Sequence, residues 1–202
     1  MQPSDYKNPF IRNTANKVRE SHNLIFMLTT RAKELDKHIT FNETGKKLMG
    51  WPDHIDNMYE YRMMWGVDYN RLYHMCIISL CSELEFFFKS LWEKYSHLPG
   101  NKKNNFFQRF DDVIADLQST GINFSPIQGA VDTVSAAFQV RHIGIHNMSI
   151  VDASFQTKTK GLGTLGQYFT VDQTLVNSIF DATEELMKHL DVNLPPLPAT
   201  SV

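Results

Sequence analysis

The segment CIISLCSELEFFFKSLWEKY, residues 76–95, decides the fold. Its apolar residues recur at intervals of three and four, which is the period of an α-helix that buries one face. The positions are Ile77, Leu80, Cys81, Leu84, Phe87, Phe88, Leu91 and Tyr95. The pattern predicts a helix over residues 68–95, which Leu98-Pro99-Gly100 ends. Cys76 and Cys81 are five residues apart on this helix, where side chains diverge, so we expect two buried free thiols rather than a disulfide.

The same period recurs along most of the chain and predicts a mostly helical single domain with four or five main helices. The other helices are expected over residues 14–39, 55–64, 105–119 and 127–143, and from Thr170, where Gln173 would complete a capping box. Residues 40–52 should be irregular because they contain two glycines and a proline. Residues 168–171 are predicted to form a short strand, paired with residues near 150–155, as a hairpin or loop before the last helix.

Length and composition indicate one domain with a loose arm at residues 1–13 and a proline-rich tail at 192–202. The remaining residues, 14–191, are enough to build a sizeable core. The net charge of −2 gives no support to nucleic-acid binding by the chain as a whole, although a local basic patch could still exist, and we expect no DNA partner. The first residues lack the apolar stretch of a signal peptide, and no apolar run approaches the roughly 20 residues that span a bilayer. We therefore expect a cytoplasmic protein without membrane contact.

Residues that can do chemistry cluster in VRHIGIHNMSIVD, residues 140–152. Imidazole titrates near neutrality and can exchange protons with hydroxyl groups, and guanidinium binds phosphate oxygens as a fork. On a regular helix Arg141 and His146 point about 140° apart. Gly144 lies between them, so the helix can distort or end there, and a helix that ends near His146 would let both side chains reach one cleft. The plainer alternative is that His142 or His146 binds free carbonyls at a helix end and Arg141 makes a surface ion pair.

Three other patterns suggest binding sites. Two of them lack residues that such sites need, and the third depends on where its side chains lie. GLGTLG, residues 161–166, matches a dinucleotide-binding pattern, but a loop precedes it where a strand is required. His142 and His146 can share a zinc ion, although Asp152 is the nearest third ligand and the glutamate of zinc proteases is missing. Four lysines in polar segments can help to hold a polyanion if they border the cleft of Arg141. They are Lys102, Lys103, Lys158 and Lys160. We expect neither a cofactor nor a metal.

The cluster at residues 140–152 resembles the R-x4-H motif of the HEPN superfamily (higher eukaryotes and prokaryotes nucleotide-binding domains). In that motif an arginine and a polar residue precede a few mostly apolar residues, a histidine and often an asparagine. The resemblance extends from about residue 68 to 191, because SLCSELEFFFKSLW resembles the second main helix of the family. A loop and a final amphipathic helix also follow the motif in both.

The resemblance implies a helical bundle and a metal-independent endoribonuclease that acts on single-stranded RNA as a homodimer. Many such proteins are toxins or act in phage defence, often beside an antitoxin protein. Carried over, His146 would be the general acid and base, and Arg141 would bind the phosphate. His142 would assist, Asn147 would orient His146 or touch the ribose, and Glu85 would position Arg141. A non-catalytic dimer that binds a nucleotide, RNA or a partner protein remains the alternative.

Overall fold

A computed structural model describes residues 6–66, 70–100 and 102–195. Over these residues the chain is helical, which confirms the all-α prediction. The α-helices are α1 (Pro9–His38), α2 (Glu43–Met49), α3 (Met58–Met64), α4 (Asn70–Lys94), α5 (Phe110–Ser119), α6 (Gln128–His146), α7 (Ala153–Lys158) and α8 (Gln173–Asn193). Short 3₁₀ turns at Asn104–Gln108 and Ser125–Ile127 precede α5 and α6.

Helix α4 is the central element of the bundle. It packs against α1, α6 and α8, and every position of its predicted apolar stripe is buried. Aromatic rings extend this core away from α4, since Phe88 lies 5.9 Å from Phe110, which stacks on Phe138 at 5.3 Å. Cys76 and Cys81 are buried and free, as expected. Burial raises the pKa of the Cys76 thiol to about 11, so this group stays protonated at neutral pH.

The predicted loose arm is wrong for residues 6–13, because α1 begins at Pro9. Asn8 caps the helix by accepting a hydrogen bond from the Phe10 amide, and proline at the first helical position needs no hydrogen-bond partner. The carboxylate of Asp191 on α8 accepts hydrogen bonds from the amides of Lys7 and Asn8, each at 2.7 Å. The start of α1 is therefore fixed to the end of α8. Residues 1–5 lie outside the described residues.

The second half of α1 projects from the bundle. Leu24, Leu28 and Leu35, which belong to its apolar pattern, are about three-fifths exposed in the chain. Helix α3 packs on this half of α1, and α2 occupies the segment that was expected to be irregular. That prediction was wrong because Asn42 caps α2 by accepting from the Gly45 amide, so the glycine lies in the first helical turn.

The segment before α8 contains less strand than predicted. Ile150 and Tyr168 form a single antiparallel bridge, and residues 153–158 are helical instead. Helix α8 begins at Gln173, where Asp172 rather than Thr170 provides the cap by accepting from the Leu175 amide. Among the described helices, none has the length and apolar character required to cross a bilayer.

The expected tail begins later than residue 192. Helix α8 continues to Asn193, and Leu194 is buried. The Tyr95 hydroxyl donates a hydrogen bond of 2.8 Å to the Pro195 carbonyl, which ties this part of the chain to the end of α4. The rest of the expected tail, residues 196–202, lies outside the described residues.

Candidate functional site

Helix α6 presents two imidazoles to solvent at its C-terminal end. His142 and His146 lie one turn apart, both are exposed, and their ring centroids are 5.0 Å apart. The helix continues through Gly144 and ends at His146, as one of the two alternatives expected, but this end does not bring Arg141 and His146 into one cleft within the chain. Gly144 lies in the contact with α4, where an added Cβ would stand 3.6 Å from His74 and 3.7 Å from Ile78. The two histidines therefore form a pair on the open side of α6.

Arg141 points away from that pair, toward α4. Its Nη2 atom lies 2.8 Å from Glu85 Oε1, and the two side chains are 17% and 19% exposed. The resemblance implied that Glu85 positions Arg141, and the two groups are indeed in contact. The Nε atom of Arg141 and the Oε1 atom of Glu85 are both buried without a hydrogen-bond partner among the described residues, so the contact is an ion pair rather than a hydrogen bond.

The surroundings of this ion pair are poorly solvated. Burial raises the pKa of Glu85 above its ordinary value, while the Arg141 charge and a hydrogen bond from Gln108 act in the opposite direction. Burial also raises the pKa of the neighbouring Cys81 thiol, which therefore stays neutral. Because the guanidinium is always charged in proteins, the nearby carboxylate attracts it electrostatically. It also reduces the positive charge that Arg141 presents to solvent.

Asn147 lies at the C-terminal end of α6, and its side chain stabilises the turn that follows. Its Nδ2 donates a hydrogen bond of 2.7 Å to the Ile150 carbonyl, which closes a tight turn. Met148 and Ser149 in this turn have φ angles of 49° and 63°, a region that residues other than glycine seldom adopt. Hydrogen bonds from the Ser149 amide to Ile143 O and from the Phe169 amide to Ser149 O hold the turn in place.

A cleft of about 760 Å³ opens between the start of α4, the end of α6 and this turn. Its lining residues are Arg71, His74, Met75, Ile78, Gly144, Ile145, Met148, Ser149, Ile150 and Tyr168. Neither Arg141 nor His146 is among them, although Ile145 lies directly beside His146 in the sequence. Sequence reasoning missed this cleft because its residues come from three separate segments, and no local spacing signals their convergence.

The residues of the two weaker patterns, the zinc and dinucleotide sites, make local structural contacts. Asp152, the nearest third ligand for zinc, caps α7 by accepting from the Phe155 amide at 2.7 Å. In the described ranges no group of three or more histidine, cysteine or acidic side chains is arranged to hold a metal ion. Gly161, Gly163 and Gly166 of the GLGTLG segment all have positive φ, and the bridge at Tyr168 follows them rather than a helix.

Two of the four candidate lysines are engaged elsewhere. Lys160 lies 2.6 Å from Asp132, and Lys102 pairs with Asp116. The positive potential of these two side chains is therefore largely compensated, while Lys103 and Lys158 are exposed.

Comparison of the chain with protein-family models, with curated proteins and with solved structures gave no match. The functional conclusion must therefore be drawn from the site itself. The structure brings His142 close to His146 and Arg141 close to Glu85. Within one chain it does not bring the arginine and the histidine pair to one face of α6.

Proposed function

We propose that this protein is a metal-independent endoribonuclease of the HEPN type, acting in the cytoplasm as a homodimer. It would cut single-stranded RNA in a toxin–antitoxin or phage-defence setting, next to an antitoxin protein. One observation carries the proposal: two solvent-exposed imidazoles lie 5.0 Å apart on the same helix as an arginine that pairs with a carboxylate, one and five residues after it. This is a set of groups suited to moving protons at a phosphodiester.

The reaction needs no group beyond side chains and the substrate, because RNA carries its own nucleophile. An imidazole base removes the proton of the 2′-hydroxyl, and the resulting oxygen attacks the neighbouring phosphorus. The bond from phosphorus to the 5′-oxygen breaks, and an imidazolium donates the proton that this oxygen takes up. The products are a 2′,3′-cyclic phosphate and a 5′-hydroxyl end. His146 is the proposed acid and base, assisted by His142, and Arg141 would stabilise charge on the phosphorane.

A second copy is needed because Arg141 and His146 point about 140° apart on an unbroken helix. The outer face of α4 offers a surface for it. Leu72, Met75, Ser79, Ser82 and Phe86 follow one another at spacings of three and four, the pattern of a helix–helix seam. Met75 is 61% exposed and Phe86 is 69% exposed, so this seam is open in the single chain.

An antiparallel, two-fold pairing of two α4 helices centred on Ser79 would set Leu72 of one copy opposite Phe86 of the other. Such a pairing is self-complementary, as a two-fold dimer requires. Gly144 packs near residues 74 and 78 of α4, whereas Arg141 contacts residue 85. The antiparallel arrangement would therefore bring the His146 end of one copy toward Arg141 of the other, which supports a composite site.

Phe86→Glu is expected to convert a dimer into a monomer and to abolish RNA cleavage, because it places a charge in the apolar seam. The molar mass in solution, measured by light scattering after size-exclusion chromatography, reports the assembly. Leu48→Glu is the matched control, since Leu48 is 85% exposed on α2, away from the seam. A wild-type monomer at tens of micromolar, or a Phe86→Glu protein that stays dimeric, would show that the seam has been assigned wrongly.

The purified protein in excess EDTA is expected to cut single-stranded RNA and to leave 2′,3′-cyclic phosphate ends. Mass spectrometry of the fragments distinguishes these ends from the 3′-hydroxyl ends typical of two-metal nucleases. Cleavage that stops on chelation would contradict the mechanism. Intact RNA across several structured and unstructured substrates would contradict the activity.

A non-catalytic dimer that binds a nucleotide, RNA or a partner protein is the second candidate function. The observation that favours it is the ion pair itself, because Glu85 compensates the charge of an Arg141 side chain that is only 17% exposed. Under this alternative the purified protein retains RNA without cutting it, and a gel-shift assay run beside the cleavage assay distinguishes the two outcomes.

A further inference from the structure

The cleft between α4 and the turn after α6 has the size and composition of a small-molecule site. Its volume of about 760 Å³ lies within the usual range for ligand pockets, roughly 300 to 1,000 Å³. Ile78 and Ile145 give it an apolar floor, and Met75, which belongs to the proposed seam, lines the cleft where the two surfaces meet. A flat apolar ligand would gain free energy by burying its surface against this floor. The apolar side chains offer no hydrogen bonds that would select one such ligand over another.

The rim of the cleft adds an aromatic ring and a positive charge. Tyr168 is 44% exposed, and its ring lies tilted against the buried His74 with 5.9 Å between the centroids. Arg71 is exposed on the opposite element, α4. Among the described residues that line the cleft there is a guanidinium but no carboxylate. The complement of an apolar floor, an aromatic ring and a cationic rim is a planar, aromatic anion.

We infer that this cleft binds one base of a single-stranded RNA, next to the linkage that faces His146, with Arg71 on a flanking phosphate. This inference rests on the proposed function and adds a base-binding subsite to it. Ile145, which lines the cleft, and His146 are adjacent at the C-terminal end of α6, so the cleft and the histidine pair lie at the same end of this helix. Bases stack on aromatic side chains in proteins that bind single strands.

The turn after α6 shapes the mouth of the cleft. Met148 is 84% exposed, and both Met148 and Ser149 have positive φ angles that cost energy in non-glycine residues. Met148 and Tyr168 both line the cleft, which offers a base a flexible thioether and an aromatic ring.

The test measures RNA binding by the His146→Ala protein, in which cleavage is expected to be too slow to interfere. A fluorescently labelled hexauridylate and a hexaadenylate are titrated into His146→Ala protein, alone or combined with Tyr168→Ala, Tyr168→Phe or Arg71→Ala. Loss of the stacking ring is expected to weaken binding about tenfold, whereas phenylalanine keeps the ring and the affinity. Tyr59→Ala and Arg109→Ala are the matched controls on other surfaces. A hexamer that carries 4-thiouridine is expected to crosslink to Tyr168 or Met148 on irradiation.

If Tyr168→Ala does not fold, Ile145→Glu provides a second test. Ile145 is 48% exposed, so the fold should tolerate the substitution, and the new carboxylate would repel the RNA strand. The inference is overturned if neither hexamer binds, if the variants bind like the controls, or if crosslinks map only outside the cleft. It is also overturned if Ile145→Glu turns a dimer into a monomer, since a second copy would then cover the cleft.

The subsite and the activity can fail separately. If the His146→Ala protein binds through the cleft while wild type cuts no RNA, the proposed function is wrong and the subsite stands. If wild type cuts RNA and Tyr168→Ala changes neither affinity nor base preference, the subsite is wrong and the activity stands.

Discussion

His146→Ala is expected to slow RNA cleavage by roughly 10² to 10⁴ while leaving the fold intact, because it removes the proposed acid and base of the reaction. The side chain is exposed, so its loss opens no cavity and should change the melting temperature little. Initial rates of cleavage of a labelled single-stranded RNA in EDTA give the effect on chemistry. The same variant in a binding assay separates a loss of turnover from a loss of affinity.

His38→Ala is the matched control, since His38 is an exposed histidine at the end of another helix, α1. His142→Ala is expected to have a smaller effect than His146→Ala, in keeping with an assisting role. A His146→Ala protein that cuts as fast as the wild type would remove this residue from the mechanism. The reverse ranking of the two substitutions would transfer the role to His142.

Arg141→Met is expected to reduce cleavage by roughly 10² to 10³ and to lower the free energy of unfolding by about 1–3 kcal/mol. The stability loss arises because Glu85 would remain as a poorly solvated carboxylate without its cation. Combining Arg141→Met with Glu85→Leu removes both charges. The double variant is expected to recover the stability to within about 1 kcal/mol, because apolar replacements of an ion pair are often neutral or better. Its cleavage rate should stay low.

Denaturant unfolding and cleavage rates, measured on the two single variants and the double variant, form a cycle that separates packing from catalysis. The ion pair of Arg19 and Glu184, at the same 2.8 Å separation, gives a matched control. Arg19→Met with Glu184→Leu should leave the rate per folded molecule unchanged. If the Arg141 double variant recovers its rate together with its stability, Arg141 has only a structural role and the non-catalytic alternative is favoured.

Helical periodicity predicted the bundle well where helices are buried on one face. The stripe of α4 was placed correctly at every position because its burial follows from local spacing alone. The helix boundaries were less predictable, since they depend on which of several neighbouring side chains caps each helix. Asp172 rather than Thr170 caps α8, and Asn8 places the start of α1 before the expected residue.

The candidate site was predictable in composition but not in arrangement. Spacing placed His142 beside His146, and the contact of Arg141 with Glu85 agrees with what the family resemblance implied. The direction of Arg141 relative to His146 depended on whether α6 bends at Gly144, which packing against α4 decides. The cleft with Arg71 and Tyr168 depends on contacts between segments far apart in the sequence, and such contacts leave no local pattern.

The clasp that joins Lys7, Asn8, Tyr95 and Asp191 has a practical consequence for engineering. It gathers both outer segments of the chain at the C-terminal pole of α4, whereas His74 and the end of α6 lie near the opposite pole. Twenty-five helical residues separate these poles, which corresponds to about 37 Å. Affinity tags or reporter domains fused on the clasp side would leave the histidine pair accessible to a substrate.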